Sequence, residues 1–100
     1  MKIISISDSP KKNKRFRVYL DDNTHYDFGL KNPKYGTYID HHDKKKRMNY
    51  ISRHLANYNE KKLIDSITPS PALFSMMLLW GKYENIDDNI KYLNEFLPEA

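Results

Sequence analysis

The stretch RFRVYLDDNTHYDF, residues 15–28, decides the fold because apolar and polar side chains alternate on either side of a turn. Asp21-Asp22-Asn23 in its middle is typical of a turn, since these residue types tolerate positive φ and hydrogen-bond their own backbone. The pattern therefore predicts a β-hairpin. Five apolar side chains are expected on its buried face: Phe16, Val18, Leu20, Tyr26 and Phe28.

The flanking segments predict a further strand, a loop and a first helix. Ile4 and Ile6 indicate an edge strand before the hairpin, and Gly29 to His42 is expected to form a loop because it has two glycines and no apolar period. A helix is predicted from Asp43 onward, since apolar residues recur there at spacings of three and four. Its core-facing stripe is expected to be Met48, Ile51, Leu55 and Tyr58.

Two more helices are predicted in the second half of the chain. Ser70 and Pro71 are typical of a helix start, and the apolar segment that follows indicates a central buried helix ending at Gly81. A third helix is predicted over about residues 85–96, with Ile86, Ile90, Leu93 and Leu97 on one face. The core is expected to contain Leu73, Phe74, Met77, Leu78 and Trp80, packed on Phe16, Val18, Tyr26 and Phe28. The order predicts one α+β domain over residues 1–100, with a hairpin or small antiparallel sheet on three helices.

The composition narrows the classes of function. The chain has 100 residues and no cysteine, which excludes a disulfide framework, a thiolate nucleophile and a cysteine-ligated zinc site. The longest apolar stretch, Pro71 to Trp80, is too short to span a bilayer, and the N-terminus lacks the apolar centre of a signal peptide. These features indicate a protein of a reducing, intracellular compartment.

Positive charge is concentrated in the first half of the chain. Residues 1–57 hold 13 lysines and arginines against 6 acids, whereas residues 58–100 hold 4 against 7. The asymmetry favours an anionic partner for one face, although attraction between the two halves, a solvated helix face or the lysine bias of an AT-rich genome would also account for it. The candidate anion- or partner-binding residues are Lys12, Lys14, Arg15, Arg17, Lys45, Lys46 and Arg53.

A second candidate site is polar and aromatic. It comprises Tyr38, His41, Asp43, Tyr50, Arg53 and His54. The interpretation is architectural: Arg53 or His54 is expected to hydrogen-bond the loop between Gly29 and His42. The spacing of His41, Asp43 and His54 matches no metal-binding signature, so we predict no metal, no cofactor and no catalytic residue. A small hydrolase or nuclease using these three residues is the enzymatic alternative.

Three islands in order carry a resemblance to a known family. They are Tyr26-Asp27-Phe28-Gly29 after the basic strand, then Tyr38-x-x-His41-x-Asp43 with Tyr50-x-x-Arg53-His54, then Ser75-x-x-Leu78-Leu79-Trp80. Over about residues 12–96 the chain resembles a family of small uncharacterised proteins of nucleocytoplasmic large DNA viruses, the giant viruses of algae and amoebae. Lys46 and Phe74 stand where that family usually carries Arg and Trp. The resemblance implies a viral setting and no particular reaction.

These observations lead to a functional hypothesis. We expect a non-enzymatic structural or interaction protein, most concretely a minor capsid or internal virion component whose partners are other viral structural proteins. It would reside in the virion or the host-cell cytoplasm, and no small-molecule substrate is inferred. The alternative is a nucleic-acid-binding accessory protein that uses the basic clusters at residues 11–17 and 44–53 on phosphates.

Overall fold

The architecture is a three-stranded antiparallel sheet followed by helices, an α+β class, as predicted. The computed structural model describes residues 1–31, 34 and 36–97. The strands are β1 (Ile3–Asp8), β2 (Lys14–Leu20) and β3 (His25–Leu30). The helices are α1 (Tyr38–His41), α2 (Lys44–Leu55), α3 (Tyr58–Asp65), α4 (Pro71–Phe74), which continues as a π-helical turn (Ser75–Leu79), and α5 (Ile86–Asn94).

The predicted hairpin is present and forms the centre and one edge of the sheet. Strand order is β1-β2-β3, and Phe16 faces Phe28 while Val18 faces Tyr26 across the β2–β3 pair. Asn23 has the positive φ of 69° that its position in the turn predicts. Val18, Leu20 and Phe28 are buried, and Phe16 and Tyr26 pack against the core from its edge.

The predicted edge strand is also present, but its inward side differs from the expectation. A register shift between Ile3 and Ser5 turns Ile3 into the core, where it is 6% exposed, and leaves Ile4 65% exposed. Ile6 remains partly buried against the core. A β-bulge of this kind reverses the side-chain alternation, and the sequence alternation alone does not reveal it.

The buried helix lies where it was predicted, although its second half is π-helical. Ser70 caps it by accepting a hydrogen bond from the Leu73 N–H, and Pro71 occupies its first turn. Leu73, Phe74 and Leu78 have no exposed surface, whereas the predicted core residues Met77 and Trp80 are only partly buried. Gly81 follows directly because a Cβ there would lie 2.1 Å from the Met77 carbonyl oxygen.

The prediction for the apolar stripe of α2 is wrong. No residue of this helix is buried, Met48 is 59% exposed, and Tyr58 is 76% exposed at the start of the next helix. Ile51 and Leu55 are half-buried. Arg47, Tyr50 and His54, which form the neighbouring line along the helix, are half-buried as well. The helix is therefore rotated about its axis so that this second line also faces the core.

Two helices lie in segments where none was predicted. Within the predicted loop, α1 begins where the backbone N–H and hydroxyl of Thr37 both donate to Asp40. Asn57 caps α3 by accepting a hydrogen bond from the Glu60 N–H. The remaining helix, α5, agrees with its prediction, since Leu93 and Leu97 are buried and Ile86 and Ile90 pack against the core. Part of the predicted loop, at residues 32, 33 and 35, lies outside the described residues.

Candidate functional site

Four aromatic rings from three separate segments stack beside the core. The Tyr50 and Trp80 rings are parallel within 6°, with centroids 4.2 Å apart. The His54 ring lies 4.0 Å from Tyr50, and the His41 ring lies 5.3 Å from Trp80. Two rings cannot both stack on one face of Tyr50 at these distances, so Trp80 and His54 cover opposite faces. The Tyr50 ring is therefore enclosed largely by Trp80 and His54.

Arg47 holds this group of rings in place. Its Nε donates to the carbonyl oxygens of Trp80 and Gly81, both at 2.9 Å, and its guanidinium carbon lies 5.6 Å from the Tyr38 ring centroid. These contacts fasten α2 to the end of the π-helical turn, whose last carbonyl groups would otherwise lack partners. The architectural arginine is thus Arg47, which was not among the predicted site residues.

His41 presents a buried N–H without an acceptor. Its Nδ1 accepts a hydrogen bond from the Asp43 backbone N–H at 2.9 Å, so the neutral ring carries its proton on Nε2. That Nε2 is buried, and no polar group in the described part of the chain lies within hydrogen-bonding distance of it. An unpaired buried donor costs about 1–3 kcal/mol of stability, so it is a common mark of a site that binds something.

Asp43 and His54 each have a local structural partner. The Asp43 carboxylate caps α2 by accepting from the N–H groups of Lys46 and Lys45, which lowers its pKa. His54 Nδ1 lies 2.6 Å from a carboxylate oxygen of Glu60 at the start of α3. No hydrogen bond from Arg53 or His54 reaches the described part of the predicted loop, so the expected tie between them is not seen there.

Tyr50 is a neutral side chain at the centre of the group. Burial raises the pKa of its phenol to about 12, and the nearby Glu60 carboxylate adds to the effect. Arg53 lies on the solvent side of this ring, with its guanidinium carbon 5.9 Å from the centroid, and it is exposed. Among residues 1–31, 34 and 36–97, no carboxylate forms an ion pair with Arg53.

Two predicted anion-binding arginines are neutralised within the fold. Arg15 forms a two-bond ion pair with Asp40, at 2.8 and 2.7 Å, and Arg17 pairs with Asp27 across the sheet, at 2.9 and 3.1 Å. The Arg17 hydrogen bonds lower the pKa of the buried Asp27 carboxyl to about 2. The first basic cluster therefore offers a partner mainly its lysines, of which Lys12 is exposed and Lys14 half-buried.

The second basic cluster borders a cavity of about 430 Å³ beside the rings. We call it the cationic cavity because Lys34, Lys46 and Arg53 line it and none of its described lining residues is acidic. Lys45, the other predicted member, is exposed on the same helix. The remaining lining residues are Leu30, Gly36, His41, Asn49, Tyr50 and Trp80.

A second cavity of about 400 Å³ adjoins the first, and Leu30 and Tyr50 line both. We call it the apolar cavity. Among its described lining residues the charged groups are Lys14 and Glu60, and Glu60 already pairs with His54, which also lines it. The rest of its wall is formed by Asn13, Gly29, Ile64, Pro71, Ala72, Ser75 and Met76.

Two further kinds of site are absent from the described part of the chain. No three acidic or histidine side chains come close enough together to hold a metal ion. No described helix has the length and apolar character needed to cross a membrane.

The first half of the chain matches a known protein family. Residues 4–54 match the model of a family of unknown function, DUF5754. The chain belongs to this family. The DUF5754 match covers nearly the whole sheet, α1 and nearly all of α2, and it ends at His54. It therefore includes His41, Tyr50 and Arg53, whereas Trp80 lies beyond it. No curated protein and no solved structure matches the chain.

The sequence pattern predicts part of this site. Five residues of the predicted polar and aromatic site do lie close together: Tyr38, His41, Tyr50, Arg53 and His54. Trp80 carried a signal as the end of the Leu-Leu-Trp island but was assigned to the core. Lys34, Arg47 and Glu60 were missed because their roles depend on which way α2 turns and on a helix, α3, that was not predicted.

Proposed function

We propose that this chain is a non-enzymatic interaction protein that binds an anionic partner at the cationic cavity. In the setting that the viral resemblance implies, it is a minor capsid or internal component of a large DNA virus particle. The observation that supports binding is the convergence of Lys34, Lys46 and Arg53 on one cavity without an acidic lining residue among those described. Charges of one sign around a concave surface attract a partner of opposite charge.

The hydrogen bonds of two candidate catalytic groups also favour binding over catalysis. His41 Nδ1 accepts from the Asp43 N–H, and one oxygen of the Asp43 carboxylate accepts from the N–H groups at the start of α2. A general base needs a free lone pair within reach of a substrate proton. The local fold uses the accepting nitrogen of the neutral His41 ring and one oxygen of Asp43. His54, in contrast, donates through Nδ1 to Glu60.

The viral setting is supported by the resemblance and by how its islands converge. Tyr50 from the middle island stacks on Trp80 from the last island, and His41, also from the middle island, contacts the Trp80 ring at a tilt. They line the same cavity, together with Arg53. Residues from separate segments of the family resemblance thus meet at one surface. This is expected if the members of such a family share a binding role there.

The particle itself provides the test of this setting. Particles of the virus that encodes the chain would be purified through successive density gradients and analysed by quantitative mass spectrometry. We expect a constant copy ratio of this chain to the major capsid protein through every step. A ratio that falls with each gradient would overturn the assignment to the particle.

Cross-linking of the same particles tests the surface. We expect lysine-directed cross-links to a partner from Lys45 and Lys46, beside the cationic cavity, and few from Lys91 on α5. Lys91 is a matched control because it is an exposed lysine on another helix. Cross-links dominated by Lys91 would contradict the proposed surface.

A further inference from the structure

We infer that the two adjoining cavities bind single-stranded nucleic acid, with a phosphate in the cationic cavity and a base in the apolar cavity. This rests on the proposed function, because it names the anionic partner of the same site. It differs from a general basic surface over residues 11–17 and 44–53, since Arg15 and Arg17 are already paired with carboxylates.

The cationic cavity suits a phosphate in two respects. Lys34, Lys46 and Arg53 supply positive charge from two different segments of the chain, and a guanidinium can donate two parallel hydrogen bonds to phosphate oxygens.

His41 adds a donor at the same place. It lines the cationic cavity, and its buried Nε2–H has no acceptor in the described part of the chain. An acceptor oxygen that reaches this N–H after a small adjustment of the ring would remove the cost of leaving it unpaired. The cavity thus contains a donor that none of the described residues uses.

The apolar cavity suits a base. Its wall includes Ile64, Ala72 and Met76, and Asn13 at its rim offers an amide that can both donate and accept hydrogen bonds. Leu30, which is 65% exposed, and Tyr50 form the boundary that both cavities share. The cationic cavity lies next to the apolar one, which matches the alternation of phosphate and base along a nucleic-acid strand.

Other anionic partners fit this arrangement less well. A duplex keeps its bases stacked and shows only their edges in its grooves, so it cannot place a base in a cavity. An acidic peptide would satisfy the lysines and Arg53 but has no planar apolar group for the neighbouring cavity. A single strand supplies both parts and is free to splay a base outward.

The test is a titration of the full chain with a fluorescein-labelled oligothymidylate, followed by fluorescence anisotropy at several salt concentrations. We expect saturable binding whose affinity falls with salt, with a slope in log Kd that is smaller by about 0.7 in R53A. The variant K91A, which removes an exposed lysine of α5, is the matched control and should keep the wild-type slope. Equal slopes in both variants would overturn the inference.

A charge-neutral variant tests the base-binding half. Ala72→Leu fills the apolar cavity without changing any charge, and thermal unfolding checks that it folds. We expect A72L to bind the oligonucleotide at least about tenfold more weakly, with an unchanged salt slope. Polyglutamate serves as the peptide probe: if it competes as well as unlabelled oligothymidylate and A72L binds normally, the ligand is an acidic peptide and the inference is wrong.

Failure of this inference and failure of the proposed function give different results. A chain that stays at a constant ratio in purified particles but ignores the oligonucleotide contradicts only the inference. A chain that binds the oligonucleotide as expected but is lost from the particles contradicts only the assignment to the particle.

Discussion

The Tyr50 ring lies parallel to the Trp80 indole, with centroids 4.2 Å apart, and so joins an exposed helix to the end of the buried one. Arg47 fixes the same junction through the Trp80 and Gly81 carbonyls. The contact has two consequences. It holds α2 against the core although that helix has no buried residue, and it brings Arg53 and Lys46 to the rim of the cationic cavity.

Removing Arg47 is expected to destabilise the fold. In Arg47→Ala two backbone carbonyls lose a charged donor, and the contact with Tyr38 is lost, so the free energy of unfolding should fall by about 1.5–3 kcal/mol. Urea unfolding followed by circular dichroism measures this. Arg53→Ala is the matched control on the same helix and should change stability by less than about 0.5 kcal/mol. Equal losses in the two variants would contradict the division between an architectural and a binding arginine.

Asp27 makes the stability depend on acid pH. Hydrogen bonds from Arg17 lower the pKa of Asp27 to about 2, below the unfolded value of about 3.9. The ionised carboxylate therefore stabilises the fold fully above about pH 4, and this contribution is lost as the pH falls toward 2. Asp27→Asn should lower stability at neutral pH by about 1–3 kcal/mol and flatten the acid side of the profile.

The control for this prediction is Asp65→Asn. Asp65 pairs with Lys61 one helical turn away, and both side chains are more than half exposed. Pairs of this kind contribute little, so D65N should unfold at nearly the wild-type denaturant concentration. Matching acid profiles for D27N and the wild type would argue against the Arg17 pair as the source of the pH dependence.

Leu78 and Met48 were both predicted to face the core, but only Leu78 is buried. Leu78 is completely buried, so Leu78→Ala should cost about 2–5 kcal/mol through lost burial and the cavity that remains. Met48 is 59% exposed, so Met48→Ala should cost less than about 0.5 kcal/mol. Chemical denaturation of both variants provides the comparison. A large fall in the free energy of unfolding of M48A would indicate that Met48 faces the core, as the sequence pattern predicted.

Asn89 is expected to be a stabilising polar residue of the interior. Its amide donates to the carbonyls of Leu78 and Tyr83 and accepts from the Tyr83 N–H, so it closes the turn between the π-helical segment and α5. Asn89→Ala leaves these backbone groups unpaired and should lower the free energy of unfolding by about 2–3 kcal/mol. The exposed Asn59 gives the control, since Asn59→Ala should unfold like the wild type in the same denaturant titration.

Local patterns in the sequence predicted the parts of the fold that depend on neighbours along the chain. The β2–β3 alternation, the turn at Asn23 and the cap at Ser70 are all local, and all are present. The bulge after Ile3 was missed because it depends on pairing with β2. The rotation of α2 was missed because Arg47 satisfies carbonyls more than thirty positions away, which outweighs the apolar spacing of Met48 and Leu55.

The site was predictable in the same uneven way. The predicted polar and aromatic residues between Tyr38 and His54 do lie close together, and Tyr50 and His54 are in ring contact. The pairing of Arg15 with Asp40 could not be predicted from local sequence because Asp40 lies 25 positions further along the chain. Trp80 was assigned to the core because its segment is apolar, whereas the end of the π-helical turn leaves its side chain only partly buried.

The most direct measurement of the central claim uses Trp80 itself, the single tryptophan of the chain. Its ring lines the cationic cavity, so its fluorescence reports on changes at that cavity when unlabelled oligothymidylate is added. The account predicts a saturable change in Trp80 emission that Arg53→Ala shifts to higher oligonucleotide concentration and Lys91→Ala does not. An oligonucleotide that binds by anisotropy but leaves the Trp80 emission unchanged would contradict it.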